Sequence, residues 1–135
     1  MPVIDHIAIL TRNLERLKAY YVCYFGGTAG EKYTNPVSGL QSYFISFESG
    51  ARLELITLPG ILEDKAGISE KSRIGLAHLA FGMDSEGAVN EKARLLALDG
   101  YQIVRGPRKT GDGYYEFETL DPDSNLVEVT FSFPQ

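Results

Sequence analysis

Two short apolar segments, DHIAIL at 5–10 and GLAHLAFG at 75–82, hold the only two histidines of this 135-residue chain, and the same order of elements follows each. The first sits in a β-branched run, 3–10, that reads as a strand. Asn13 then offers a helix N-cap, and Leu14, Leu17, Tyr21 and Tyr24 recur at helical spacing until Gly26-Gly27. A weak strand is expected over 28–34. The runs 42–47 and 51–58 form a hairpin around Glu48, Ser49 and Gly50. The second segment starts the series again: a strand over 75–82, then a helix capped by Ser85 with Val89, Ala93 and Leu96 on one face, ended by Gly100. Strands over 101–106, 113–120 and 126–133 follow, the last two joined by a turn at Asp121-Pro122-Asp123-Ser124-Asn125. A period this long that occurs twice is a duplicated module, not a solenoid. The expectation is an α+β fold of two tandem βαβββ modules in a single domain over 1–135: module one about 1–60, a polar linker over 61–73, and module two about 74–135.

The duplication extends to chemistry. His6 and Glu54 are 48 positions apart, His78 and Glu128 are 50, so each module has a histidine in its first strand and a glutamate in its last. Side chains alternate across a strand. Val127, Val129, Phe131 and Phe133 therefore share a face that must be covered, while Glu128, Thr130 and Ser132 take the other. Likewise Leu53 and Leu55 oppose Arg52 and Glu54. His6 shares its face with Ile4, Ala8 and Leu10, and His78 with Leu76 and Ala80; the small alanines leave room beside each imidazole, as the wall of a concave cavity requires. Singly, each residue has a plainer account. A histidine in an apolar strand is commonly packed and bonded to a carbonyl, and a glutamate there commonly faces water. The repetition, which uses every histidine in the chain, opens a second reading. Two imidazoles and two carboxylates are a mixed N/O set suited to a divalent transition ion, with two positions open if it is six-coordinate.

Composition narrows the alternatives. Eighteen acidic against thirteen scattered basic residues give a net charge of −5, which disfavours nucleic acid or an anionic membrane as a partner. No apolar run approaches the ~20 residues of a membrane span, and the N-terminus lacks a basic region followed by an apolar core. A cytoplasmic protein is the expectation. Cys23, the only cysteine, has no basic neighbour to lower its pKa and reads as a small packed residue.

The segments D-H-I-A-I (5–9), N-L-E-R-L-K-A-Y-Y (13–21), A-R-L-E-L (51–55), H-L-A-F (78–81), G-D-G-Y-Y-E-F (111–117) and D-P-D-S-N-L-V-E-V (121–129) together resemble the vicinal oxygen chelate superfamily. This is the glyoxalase I, bleomycin-resistance and extradiol dioxygenase group, and the chain is most similar to short bacterial lactoylglutathione lyase-like proteins. The resemblance implies sheets curved around a metal-binding cup, with His6, Glu54, His78 and Glu128 as the ligands. It also implies a homodimer in many members, the site closing either across the interface or within one chain. The function implied is a divalent-metal-dependent lyase or isomerase of the glyoxalase I type. Such an enzyme moves a proton on a 2-oxoaldehyde–thiol hemithioacetal or a related vicinal-oxygen substrate, with Glu128 as base and Glu54 as the alternative. The ion is nickel, zinc, cobalt, manganese or iron.

Two departures from the family pattern stand out, and only the first bears on the substrate. Glutathione-dependent members often carry an arginine four residues after the first histidine and an asparagine four after the first glutamate; here Leu10 and Leu58 stand there, which counts against glutathione. Ser124 replaces the glycine usual before the asparagine of the turn, at a small backbone cost. The competing functions are a fosfomycin-type thiol transferase or an iron dioxygenase, which typically need only three protein ligands. A non-enzymatic, drug-sequestering dimer of the bleomycin-resistance type is a third, for which Tyr43, Phe44, Tyr114 and Tyr115 would line an aromatic groove. Lys71, Arg73, Arg105 and Arg108 are either solvated surface or holders of an anionic substrate group.

Overall fold

The computed structural model of the chain describes residues 1–62 and 74–134. Most of the linker expected at 61–73, with Lys71 and Arg73, lies outside them. The chain divides into two compact units, Met1–Lys65 and Ala66–Gln135.

The first unit runs β1 (His6–Leu10), α1 (Leu14–Phe25), β2 (Thr28–Ala29), β3 (Tyr33–Thr34), β4 (Gln41–Ser46) and β5 (Arg52–Thr57). Its sheet has the order β1-β5-β4-β2, with β3 also on β4. The second runs β6 (Leu79–Gly82), α2 (Glu86–Leu98), β7 (Ile103–Lys109), β8 (Tyr114–Leu120) and β9 (Leu126–Ser132), in the order β6-β9-β8-β7. In each, the first strand pairs parallel with the last and the remaining ladders are antiparallel. These are two βαβββ-like modules of an α+β fold.

Local chemistry sets the helix ends. The Asn13 side chain accepts from the Arg16 N–H at 3.1 Å, and Ser85 Oγ from the Ala88 N–H at 3.0 Å, each satisfying a donor that the first turn leaves unpaired. Gly26 closes α1 in the left-handed region, at φ 66°. Each helix covers one face of its own sheet. In the first unit Leu17 and Tyr21 meet Ile45, Leu53 and Leu55; in the second Val89, Ala93 and Leu96 meet Phe117, Val127 and Val129, all buried. Full burial of such side chains contributes roughly 1.5–3 kcal/mol each before the entropy of ordering them. The opposite face of each sheet is therefore left for other work.

Several boundaries differ from the sequence reading. The strand expected from residue 3 begins at His6, since Val3 and Ile4 are exposed. The strand expected over 75–82 begins at Leu79, leaving His78 just ahead of the ladder; Gly75, at φ 137°, takes the chain off an extended path. The weak strand over 28–34 is two two-residue strands flanking Gly30. Cys23, read as packed, is exposed, because it lies roughly 200° round the helix from buried Tyr21.

Candidate metal centre

Each unit presents one histidine and one glutamate on the sheet face away from its helix. Glu54 is the ladder partner of Ala8, two residues after His6; Glu128 is the partner of Ala80, two residues after His78. The unequal sequence separations thus collapse to one register, in which histidine and glutamate are diagonal neighbours across a parallel ladder. His6 Nε2 lies 3.6 Å from Glu54 Oε1, and His78 Nε2 lies 3.5 Å from Glu128 Oε2. These gaps are long for a hydrogen bond. Two adjacent donors each ~2.1 Å from one six-coordinate ion lie roughly 3.0 Å apart, so each pair would close by about half an ångström to chelate one. Both imidazoles are 39% exposed, and the glutamates 21% and 16%, so all four can be reached from solvent. The four predicted residues come together pairwise, one pair in each unit, and the donor chemistry of each pair fits a divalent transition ion.

The surroundings of the pairs differ. In the first unit His6 Nδ1 meets Asp5 Oδ2 at 2.7 Å, and the same oxygen accepts from the Arg52 guanidinium at 2.8 Å. The hydrogen bond from His6, then that from Arg52, hold Asp5 below the ordinary carboxylate range. The contact fixes the tautomer that leaves Nε2 free to bind an ion. Phe44 floors the site: its ring is edge-on to His6 at 5.2 Å, and the Arg52 guanidinium stacks on it at 4.3 Å.

In the second unit Glu128 stands among acids. Glu118 is its ladder partner, Glu116 lies one turn of the pleat along the same face, and an oxygen from each of the three falls within 4.8 Å of the others. Burial, and then the hydrogen bond to Glu128, push Glu116 up to about 7. A neutral Glu116 donating to Glu128 relieves the repulsion, and Arg105, 3.8 Å from Glu118, offsets a further charge. A cavity of about 580 Å³ opens here, lined by His78, Arg108, Thr110, Tyr114, Glu116 and Glu128.

Sequence reasoning missed Asp5, Glu116 and Glu118. Asp5 was visible as the acid next to His6. Glu116 and Glu118 were visible as the polar alternates of GYYEFETL, but their meeting with Glu128 needed the ladder register. Of the four aromatics considered for a groove, Tyr43 is buried with its hydroxyl donating to Glu15, and Tyr115 donates to Asn90 of α2. Only Phe44 and Tyr114 stand on the histidine-bearing faces. Leu10 and Leu58 carry no polar group, and nearby Arg12 donates to the Ile61 carbonyl at 2.9 Å.

The sequence model of the Glyoxalase/Bleomycin resistance protein/Dioxygenase superfamily matches residues 3–129. A curated relative, the Bacillus subtilis (strain 168) protein YqjT, is 37% identical over 62 residues, 44% of this chain and 48% of that protein; the match thus spans about half its length. Among solved structures, the fold is similar to a glyoxalase family protein from Enterococcus faecalis, with 22% identity, TM-score 0.74, and 94% of this chain and 95% of that one covered. It is also similar to the trypanothione-dependent glyoxalase I of Leishmania major, with 20% identity, TM-score 0.71, and 96% and 86% covered. No helix among the described residues is long and apolar enough to cross a membrane.

Proposed function

The chain belongs to the Glyoxalase/Bleomycin resistance protein/Dioxygenase superfamily, and from that premise we propose that it is a divalent-metal-dependent lyase or isomerase of the glyoxalase I type. The observation that carries the reading is the repeated register: both units set a histidine and a glutamate diagonally across a parallel ladder, beside an alanine that leaves room. His6, Glu54, His78 and Glu128 are the proposed ligands, and the elements of a homodimer or of one chain would complete the set. Bound there, the ion would act as a Lewis acid on the vicinal oxygens of the substrate.

The residues supply the rest. Glu128 is the proposed base: it takes a carbon-bound proton and returns it to the adjacent carbon, so the reaction is a net isomerisation. Its neighbour Glu116, pushed up to about 7 in the metal-free protein, is placed to hold the Glu128 carboxylate by donating to it. Glu54, its histidine anchored through Asp5, serves as ligand and alternative base. The lack of polar groups at Leu10 and Leu58, with Arg12 occupied by Ile61, argues for a substrate other than the glutathione hemithioacetal. The polar lining of the second-unit cavity speaks against sequestration of an apolar drug.

Elemental analysis of purified protein, followed by reconstitution with nickel, cobalt, zinc and manganese, tests the proposal. Stoichiometric binding that falls about 100-fold or more when a ligand is removed by His6→Ala is expected. Protein that binds none of the four would end this reading.

A further inference from the structure

Residues three apart in a regular strand face opposite sides of the sheet. Arg105 and Arg108 are three apart in β7, yet they partner Glu118 and Glu116, which are two apart in β8 and share a face. The register shifts once between Ile103 and Arg105 and again between Arg105 and Arg108, and each inserted residue turns the following side chain over. Gly106 makes the second shift possible. It sits at φ 84°, and a Cβ there would come within 2.6 Å of the Glu116 carbonyl oxygen. β7 is thereby bent so that both guanidiniums stand on the face that carries Glu128.

Their surroundings then separate them. Arg105 is paired with Glu118 at 3.8 Å. Arg108 makes no ion pair among the described residues, is exposed, and lines the 580 Å³ cavity with His78 and Glu128. Among the described residues no aliphatic side chain lines that cavity, and its aromatic surface is the His78 imidazole and the Tyr114 ring. A guanidinium free of an ion pair among the described residues, at the mouth of a polar cavity, is a fork for an oxyanion. Asp112, Glu116 and Glu128 line the same cavity, so a singly charged carboxylate meets less repulsion there than a doubly charged phosphate.

We propose that Arg108 selects the substrate by holding a carboxylate that the substrate carries in addition to its vicinal oxygens. The substrate class is then a small polar oxo acid, with no apolar tail and no glutathione arm. This rests on the metal-dependent reading above for its vicinal oxygens, but not for its carboxylate.

Calorimetry on metal-loaded protein with 2-oxoglutarate and with 2-oxopentanoate, which lacks the second carboxylate, measures the preference. The dicarboxylate should bind about tenfold tighter. Arg108→Ala should remove the difference, Arg108→Lys should restore part of it, and Arg105→Ala should leave it in place. An equal ratio in the wild type and Arg108→Ala overturns the proposal. A second arm needs no metal: succinate titrated into metal-free protein should shift the Arg108 Nε–Hε resonance, more strongly than inorganic phosphate at equal concentration. If no metal binds but succinate shifts that resonance, the proposed reaction falls and Arg108 stands as a carboxylate site. If metal binds and succinate leaves the resonance unmoved, this inference alone falls.

Discussion

The two units hold the same histidine–glutamate pair in the same register and dress it in opposite ways. In the first, every neighbour restrains: Asp5 holds His6, Arg52 holds Asp5, and Phe44 packs against both the His6 ring and the Arg52 guanidinium. In the second, Glu128 has two further carboxylates beside it and a cavity in front. His78 has no carboxylate counterpart to Asp5 among the described residues. A duplicated scaffold preserves the diagonal geometry because it follows from strand pairing, while the residues around it are free to diverge. Under the proposed function this difference is a division of labour, in which the first pair would grip the ion and the second would do the proton chemistry.

Exchanging the two glutamates for their amides tests that division most severely. Glu128→Gln keeps an oxygen donor but abolishes the base, so kcat should fall by about 10²–10⁴-fold. Glu54→Gln should act chiefly on metal affinity, with a much smaller loss of kcat at saturating metal. Steady-state rates at several metal concentrations, with competition against a chelator, separate the two effects. If the amides were interchangeable, the division would collapse; if Glu54→Gln had the larger effect on kcat, the roles would be reversed.

Asp5 offers the next largest effect. Asp5→Ala releases Nδ1 of His6 and should weaken metal binding by roughly 10–100-fold, the usual cost of losing the carboxylate behind a ligating imidazole. Asp5→Asn, whose side-chain oxygen can still accept from Nδ1, should recover part of the loss. Chelator competition gives the affinities, and the visible spectrum of the cobalt-loaded protein reports whether the imidazole is still in place. Unchanged affinity in Asp5→Ala would remove the contrast between the two histidines.

Much of this was legible in the sequence for a physical reason: the signals were local. Asn13 and Ser85 cap their helices because their oxygens reach back to the first turn, a contact fixed by a spacing of three. The pairing of His6 with Glu54 and of His78 with Glu128 was legible because each arrangement occurs twice. Ser124, at φ 67°, takes the left-handed position expected for the glycine it replaces; Asp121 compensates by accepting from the Asp123 and Asn125 N–H groups, each at 2.9 Å. What the sequence hid was non-local. That Glu116 and Glu118 join Glu128 depends on which residues of β8 and β9 stand opposite each other. That Arg105 and Arg108 both stand on the face of Glu128 depends on two register shifts, which strict alternation forbids. Cys23 was misread because the aromatic residues around it suggest burial, whereas the phase of α1 turns it outward.

The acids of the second unit also predict a pH dependence that the first unit lacks, the smallest of the three effects. Glu116 is pushed up to about 7 in the fold, from an ordinary value of 4.5. Between those values the metal-free folded protein holds a proton that the unfolded chain has released, so stability declines as pH rises. The contribution is complete below about 4.5 and is lost as pH passes through about 7. Melting of metal-free protein should therefore show Tm falling by a few degrees across this window, superimposed on the titration of other groups. Glu116→Gln, which still donates to Glu128 but cannot ionise, should flatten the slope. Glu54→Gln should leave it as it is, because no comparable carboxylate faces Glu54 among the described residues. Equal slopes in the wild type and Glu116→Gln would mean that Glu116 does not hold its proton beside Glu128. The extra carboxylates of the second unit would then mark no difference in proton chemistry between the two half-sites.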